Sequence, residues 1–295
     1  MRSNADALSP APAGEMSSGR AAVAGLVLAL LVLLPSRVKA QEETPAEIVA
    51  QSNNPLAPLS GINFNEYYAP NLYDAPGVAN TFNIQGVLIP LRRHFDLFHI
   101  VRVTLPVATV PGDSGLSESG LGDLVIQDAF RVSRMSARTQ FGVGPLLVLP
   151  TATSTALGAG KWQAGVAAVV VFVLPGGSVV EGLVTWQISF AGDASRPNTN
   201  LATFQPGIAL ALGQSGFYIS SSPIWTFDFE NGNYLIPFSI GIGKVMKISK
   251  TIVNVTAEPQ FTIFHEGAQQ PAVQFFVGLT LQWKKEHQPK RPSGT

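Results

Sequence analysis

The chain has 295 residues, 46% of them apolar and only 13% charged, and its 19 basic and 19 acidic side chains leave no net charge. That balance offers nothing to attract a nucleic-acid partner. With no cysteine, disulfides, thiolate catalysis, a lipidated N-terminal cysteine and Cys-ligated metals are excluded.

One long apolar run, Ala21 to Pro35, follows Arg20 and precedes Val38-Lys39-Ala40. Its length suits the core of an export signal cleaved after Ala40, so residues 1–40 read as a signal peptide. An uncleaved anchor would need a longer segment. Met16 makes a more ordinary signal-peptide start than Met1, and residues 1–15 are therefore left out of the fold. After residue 40 no stretch supplies the roughly 18 uninterrupted apolar residues of a spanning helix. The hydrophobicity must then be spread over strands.

Residues 41–60, QEETPAEIVAQSNNPLAPLS, are polar and proline-rich without periodicity. They read as a flexible periplasmic lead-in; a plug inside the barrel is the open alternative, which no pattern here supports. From residue 61 onward twelve alternating runs recur between turn-like breaks, near 61–68, 79–92, 95–106, 121–134, 136–149, 162–174, 177–191, 201–212, 215–227, 233–246, 250–264 and 271–283. An even number suits a bacterial outer-membrane barrel with both ends on the periplasmic side. Longer connections, such as VATVPGDSGLSESG and PTATSTALGAGK, follow the odd runs and shorter ones follow the even runs. A soluble β-sandwich would not be expected to keep that rhythm.

The faces agree. In the last run Val273, Phe275, Val277, Leu279, Leu281 and Trp283 alternate with Gln274, Gly278, Thr280 and Gln282. In the eleventh, Val253, Val255, Phe261 and Ile263 oppose Asn254, Thr256, Glu258, Gln260 and Thr262. Period-two alternation of this kind predicts an apolar outside and a wet, confined inside of Gln, Asn, Thr, Ser and Gly. Trp162, Trp186, Trp225 and Trp283 all fall on outward faces, and three of them lie at strand ends, where aromatic girdles form. One residue does not comply: Asp128 shares the outward face of Leu124, Ile126 and Phe130 unless a bulge reverses the register. The expected fold is all-β, a single antiparallel transmembrane β-barrel of about twelve strands over 61–283, followed by a basic periplasmic tail at 284–295.

The phrases SGLGDL (119–124), GPLLVLPTATSTALGAGKW (144–162), SFAGDASRP (189–197), FQPGIAL (204–210) and IPFSIGIGKVMKISK (236–250), in that order and spacing, resemble the outer-membrane transporter family named for the meta-pathway of phenol degradation. The resemblance covers residues 61–283. It implies an outer-membrane barrel, in some members tied to uptake of aromatic or poorly soluble compounds. Asp123, Lys161, Asp193 and Arg196 match its loop phrases and are expected to pin the long loops by ion pairs. The sequence departs from the family in the aliphatic Ala-Ala-Val-Val-Val-Phe core of the sixth run and in the tail KKEHQPKRPSGT. Gly278, Leu281 and Trp283 keep a spacing that resembles the last-strand signal read by the barrel-assembly machinery as an added strand edge.

A hydrolase needs a serine beside an oriented histidine base. His94 falls at a turn, His265 in a loop and His287 in the tail, while His99 lies near a strand end; none forms a His-x-Ser pair on one face. No catalytic residue is assigned. No His/Asp/Glu cluster has metal-ligand spacing, and the Gly-x-Gly pairs at 142–144, 158–160 and 241–243 lack the strand-to-helix context of a phosphate loop. They suit close packing of inner-face residues. The candidate lumen charges are Arg102, Arg131, Arg138, Glu181 and Glu258. Arg131 and Arg138 are expected almost opposite each other across the hairpin of the fourth and fifth runs. An Arg–Glu lattice that rigidifies the barrel is the alternative to solute selection. The expected function is passive passage of small, aromatic or hydrophobic solutes across the outer membrane without enzyme activity, cofactor or metal. Its partners are the lipid bilayer, the assembly machinery and an unidentified solute, not nucleic acid. The alternative is a structural or surface-interaction barrel with a closed lumen.

Overall fold

The computed structural model describes residues 43–89, 98–112, 117–134 and 138–284. The predicted signal peptide, His94 and His287 lie outside these residues, as does all of the predicted tail except Lys284. Period-two alternation produces β1 (Leu59–Leu72), β2 (Ala79–Leu88), β3 (Phe98–Pro111), β4 (Ser117–Leu121 and Leu124–Arg131), β5 (Thr139–Leu149) and β6 (Lys161–Val173). It continues through β7 (Val179–Gly192), β8 (Asn200–Ala211), β9 (Phe217–Ser221 and Trp225–Asp228), β10 (Asn233–Ser239 and Gly241–Ile248), β11 (Thr251–Glu266) and β12 (Pro271–Lys284).

Every neighbouring pair is antiparallel. β12 returns to β1, with Leu59 opposite Lys284 and Phe64 opposite Leu279, so the twelve strands close on themselves. Closure leaves no edge. Three strands are each in two pieces. β9 breaks at Ser222-Pro223-Ile224, where Pro223 has no N–H to give the ladder, yet both pieces pair with β8, Tyr218 opposite Ala211 and Trp225 opposite Phe204. β3 and β4 are longer than the alternation alone suggested. Val107–Pro111 pairs with Ser117–Leu121, so much of the predicted loop there is strand.

The outside is apolar. Phe141 and Val143 on β5, Val184, Trp186, Ile188 and Phe190 on β7, and Phe261 and Ile263 on β11 are all exposed, Phe190 at 62%. The four tryptophans face outward as well. Trp225 sits opposite Phe204 and meets its ring edge-on at 5.3 Å. Inside, Thr185, Gln187, Thr203, Gln205, Asn254, Thr256 and Thr280 line a cavity.

The segment read as a flexible lead-in contains a helix, α1 (Pro45–Ser52). Thr44 caps it by accepting from the Glu47 amide, the Glu47 carboxylate accepts from the Thr44 amide in return, and Pro45 occupies the first turn, where its missing N–H costs nothing. α1 and residues 53–58 lie within the ring of strands, at the end where Leu59, Lys284 and the turns 174–178, 212–216 and 249–250 meet, here called the terminal end. Ile48, Val49, Leu56 and Ala57 pack there against Ile100, Val169, Val171, Val179, Ala209, Tyr218, Val245 and Ile252. This apolar layer is the hydrophobic core. It also accounts for the aliphatic run in β6, whose inward Val169 and Val171 cover the plug while Val170 and Phe172 face outward.

Candidate functional site

Polar side chains from all around the barrel wall hold the plug. Arg102 Nη2 donates to the Pro55 carbonyl at 2.9 Å, and Arg131 Nη1 donates to the Leu56 carbonyl at 3.0 Å and to Gln140 Oε1 at 3.4 Å. The Arg131 guanidinium also lies over the Phe98 ring, 4.5 Å from its centroid. On the far wall Ser52 and Gln282 bond reciprocally, at 2.8 Å between side chains and 3.2 Å from the Gln282 amide to the Ser52 carbonyl. Asn53 joins Asn254 at 3.1 Å, and Asn254 accepts from the Tyr218 hydroxyl at 2.8 Å.

Glu43, just before the helix, accepts from Lys284 and pairs with Lys247 at 3.2 Å. Burial works to raise its pKa, but hydrogen bonds from Lys284, Gln51 and Lys247 outweigh burial and hold the carboxyl at about 2.

Leu56 is fully buried because the wall makes room for it. A Cβ on Gly142 would stand 2.7 Å from Leu56 Cδ2. Gly243 serves Tyr218 in the same way, since a Cβ there would fall inside the Tyr218 ring. Gly142 and Gly243 thus make room for inner-face side chains, whereas a Cβ on Gly144 would meet the Asp128 backbone of the neighbouring strand. Gly158, in a loop, instead leaves space for the Asp123 carboxylate.

Above the plug a cavity of about 550 Å³ extends between the walls, with residues 52–55 and Ala57 at its floor. Arg102 and Glu181 face it. The wall amides and hydroxyls mostly satisfy each other: Asn63 donates to Gln85 and Gln85 to Thr104, both at 2.8 Å, and Thr185 meets Thr203 at 2.7 Å.

Of the remaining predicted charges, Glu258 lines the cavity as expected, Arg131 is buried against the plug, and Arg138 lies outside the lumen. Glu258, 1% exposed, accepts from the hydroxyls of Ser220, Ser222 (2.9 Å) and Ser239 (3.0 Å) and from the Ser222 amide (2.9 Å). It satisfies the backbone at the β9 break. Among the described residues no Arg–Glu ion pair crosses the lumen, so the expected lattice is absent there; the plug's own carbonyls take the arginines' donors instead. Arg131 stands opposite Gly142, whereas Arg138 is exposed in the turn before β5, so the two arginines do not face each other.

Asp128 faces outward without a bulge. His99 Nδ1 lies 2.8 Å from Asp128 Oδ1, and the His99 ring, 6% exposed, stacks on Phe130 at 5.2 Å. His265 stacks on Tyr73 at 3.5 Å.

The loop residues use backbone partners more than ion pairs. Asp123 accepts from the amides of Ala152 (3.1 Å) and Ala159 (2.7 Å), and Arg196 donates to the carbonyls of Thr155 (2.8 Å) and Gly158 (2.7 Å). The hydroxyl and amide of Ser195 hold the Asp193 pKa below its ordinary value. Lys161, at the start of β6, is 6% exposed.

The plug residues were missed by the alternation, which α1 is too short to show. Two signals were available. Thr44-Pro45-Ala46-Glu47 is a capping box, and apolar residues on the face of β6 assigned to the wet lumen imply an apolar object inside.

No protein-family model matches the sequence, and no curated protein does. Among solved structures the chain is similar to an outer membrane channel from Pseudomonas putida F1, with a TM-score of 0.57 and 14% identity over 85% of this chain and 100% of that one. That likeness establishes the barrel fold. The transport unit of the autotransporter AIDA-I from Escherichia coli matches at a TM-score of 0.37 and 8% identity, over 89% of this chain and 97% of that one, too distant to support an argument.

Proposed function

We propose that the chain is an outer-membrane channel, a passive path for small solutes, whose terminal-end mouth is closed by its own N-terminal segment. The observation that carries this reading is the inversion of the ring: large apolar side chains are exposed all around the outside, and polar side chains surround the cavity. Water does not tolerate so extensive an apolar surface, whereas a bilayer requires it, and a closed ring of strands leaves no unpaired backbone for lipid to meet. The outward tryptophans support the same placement. Both termini of the ring then lie on the periplasmic side, with Gly278, Leu281 and Trp283 available to the assembly machinery. The phrases that resemble the phenol-degradation transporters extend the reading to small aromatic or hydrophobic solutes. It includes no cofactor and no catalytic step.

The plug also favours a second reading, a structural barrel with a permanently closed lumen. Planar-bilayer recording separates the two. Because the chain has no cysteine, Ser52→Cys with Gln282→Cys gives a background-free pair across the plug. The channel reading expects conductance steps from the reduced protein that vanish on oxidation and return on reduction. A membrane silent in both states would leave the structural barrel.

A further inference from the structure

Ile100 on β3 and Val179 on β7 belong to the apolar layer around the plug, and the next inward residue on each strand carries a charge, Arg102 and Glu181 respectively. Three strands separate β3 from β7 along the shorter way round. Both side chains line the same cavity. They are not in contact: among the described residues no ion pair joins them. Arg102 spends one nitrogen on the Pro55 carbonyl, but its Nε is buried without a hydrogen-bond partner, and so is Glu181 Oε2. Buried charged groups left in this state are costly. The neighbouring Asn63, Gln85, Thr104, Thr185 and Thr203 side chains hydrogen-bond among themselves, which leaves this donor and this acceptor facing a common space.

The molecule that completes such a gap presents a carboxylate at one end and an ammonium at the other. We propose that Arg102 and Glu181 form a transverse binding site for a small zwitterion of the amino-acid type, its carboxylate toward Arg102 and its ammonium toward Glu181, resting on the plug. The proposal adds a zwitterionic class to the aromatic or hydrophobic solutes of the channel reading, and depends on that reading for passage, though not for binding.

Saturation-transfer NMR on the folded full chain in detergent tests it, with 4-aminobutyrate as probe and butyrate and butylammonium as single-charge controls. Transfer to 4-aminobutyrate should exceed that to either control. Glu181→Gln, which disturbs no plug contact, should weaken binding about tenfold or more, the loss expected when a charge-assisted hydrogen bond goes. Arg102→Gln should do the same. Equal transfer to a control, or 4-aminobutyrate binding unchanged by Glu181→Gln, would overturn the site. Absence of any transfer would do so too, and would point to a charge pair bridged by water. Bilayer conductance is read separately. A silent bilayer with intact zwitterion binding defeats only the channel reading, and a conducting one without binding defeats only this site.

Discussion

Arg131 reaches inward from the end of β4 and donates to the carbonyl of Leu56 at 3.0 Å, so a buried guanidinium on the wall is bound to the main chain of the plug rather than to an acid. A hydrogen bond from a charged donor contributes about 1.5–3 kcal/mol. Arg131→Met should therefore loosen residues 43–58 and leave the ring of strands intact. Amide exchange in the plug is expected to speed up about tenfold or more, while β5 and β6 keep their protection. Unchanged plug exchange would mean that the wall holds it elsewhere.

The seat of Leu56 gives a second prediction. Gly142→Val places carbons where Leu56 Cδ2 already lies, 2.7 Å from the would-be Cβ, and should unseat the plug by overpacking, at about 1–3 kcal/mol. Leu56→Ala acts from the other side by leaving a cavity, at about 2–5 kcal/mol. Combining the two should recover part of the loss, because the added valine methyls fill the vacated space. Protease sensitivity of residues 43–58 measures all three variants, and strictly additive losses would show that Gly142 and Leu56 are not coupled.

Glu43 makes the plug sensitive to acid. Its carboxyl titrates at about 2 in the folded chain against an ordinary 4.5, so its contribution is fully present above 4.5 and is lost as pH falls through 2. Plug exchange should rise over that window in the parent chain. Glu43→Gln should show the looser plug already at neutral pH and lose this part of the acid dependence. An identical acid profile in both proteins would assign the effect to another carboxylate.

The strands were legible because each inward residue is flanked by outward ones: in β11 and β12 Asn254, Thr256, Glu258, Gly278, Thr280 and Gln282 line the cavity, while Phe261, Ile263, Phe275 and Trp283 are exposed. The alternation fails where something other than water or the outside covers a face. Val169 and Val171 are apolar on the inner side because Leu56 and α1 lie against them, an arrangement built from residues more than a hundred positions apart. The roles of Arg102 and Arg131 were hidden for the same reason, since their partners are main-chain carbonyls, which carry no sequence signature. Asp128 was correctly marked as outward and anomalous, but its partner His99 becomes visible only when β3 and β4 are laid side by side, with Val101 opposite Asp128 and His99 opposite Phe130.

If the outside of the ring faces lipid, that pair yields the last prediction. Val277 faces outward and Thr280 inward on the same strand, so Val277→Arg should lower refolding into liposomes by about 2–4 kcal/mol, while Thr280→Arg, hydrated by the lumen, costs much less. Asp128 escapes the penalty of Val277→Arg because His99 lies against it at 2.8 Å. Removing the histidine alone, as His99→Phe, leaves a carboxylate on the apolar wall without that partner. His99→Phe with Asp128→Leu leaves no charge there. The single substitution should therefore destabilise the barrel more than the double, by about 1–3 kcal/mol after allowance for the partial exposure of Asp128. Refolding yields measured over a urea series into vesicles decide it. A double variant no better folded than His99→Phe would show that the Asp128 carboxylate does not need the histidine as its partner.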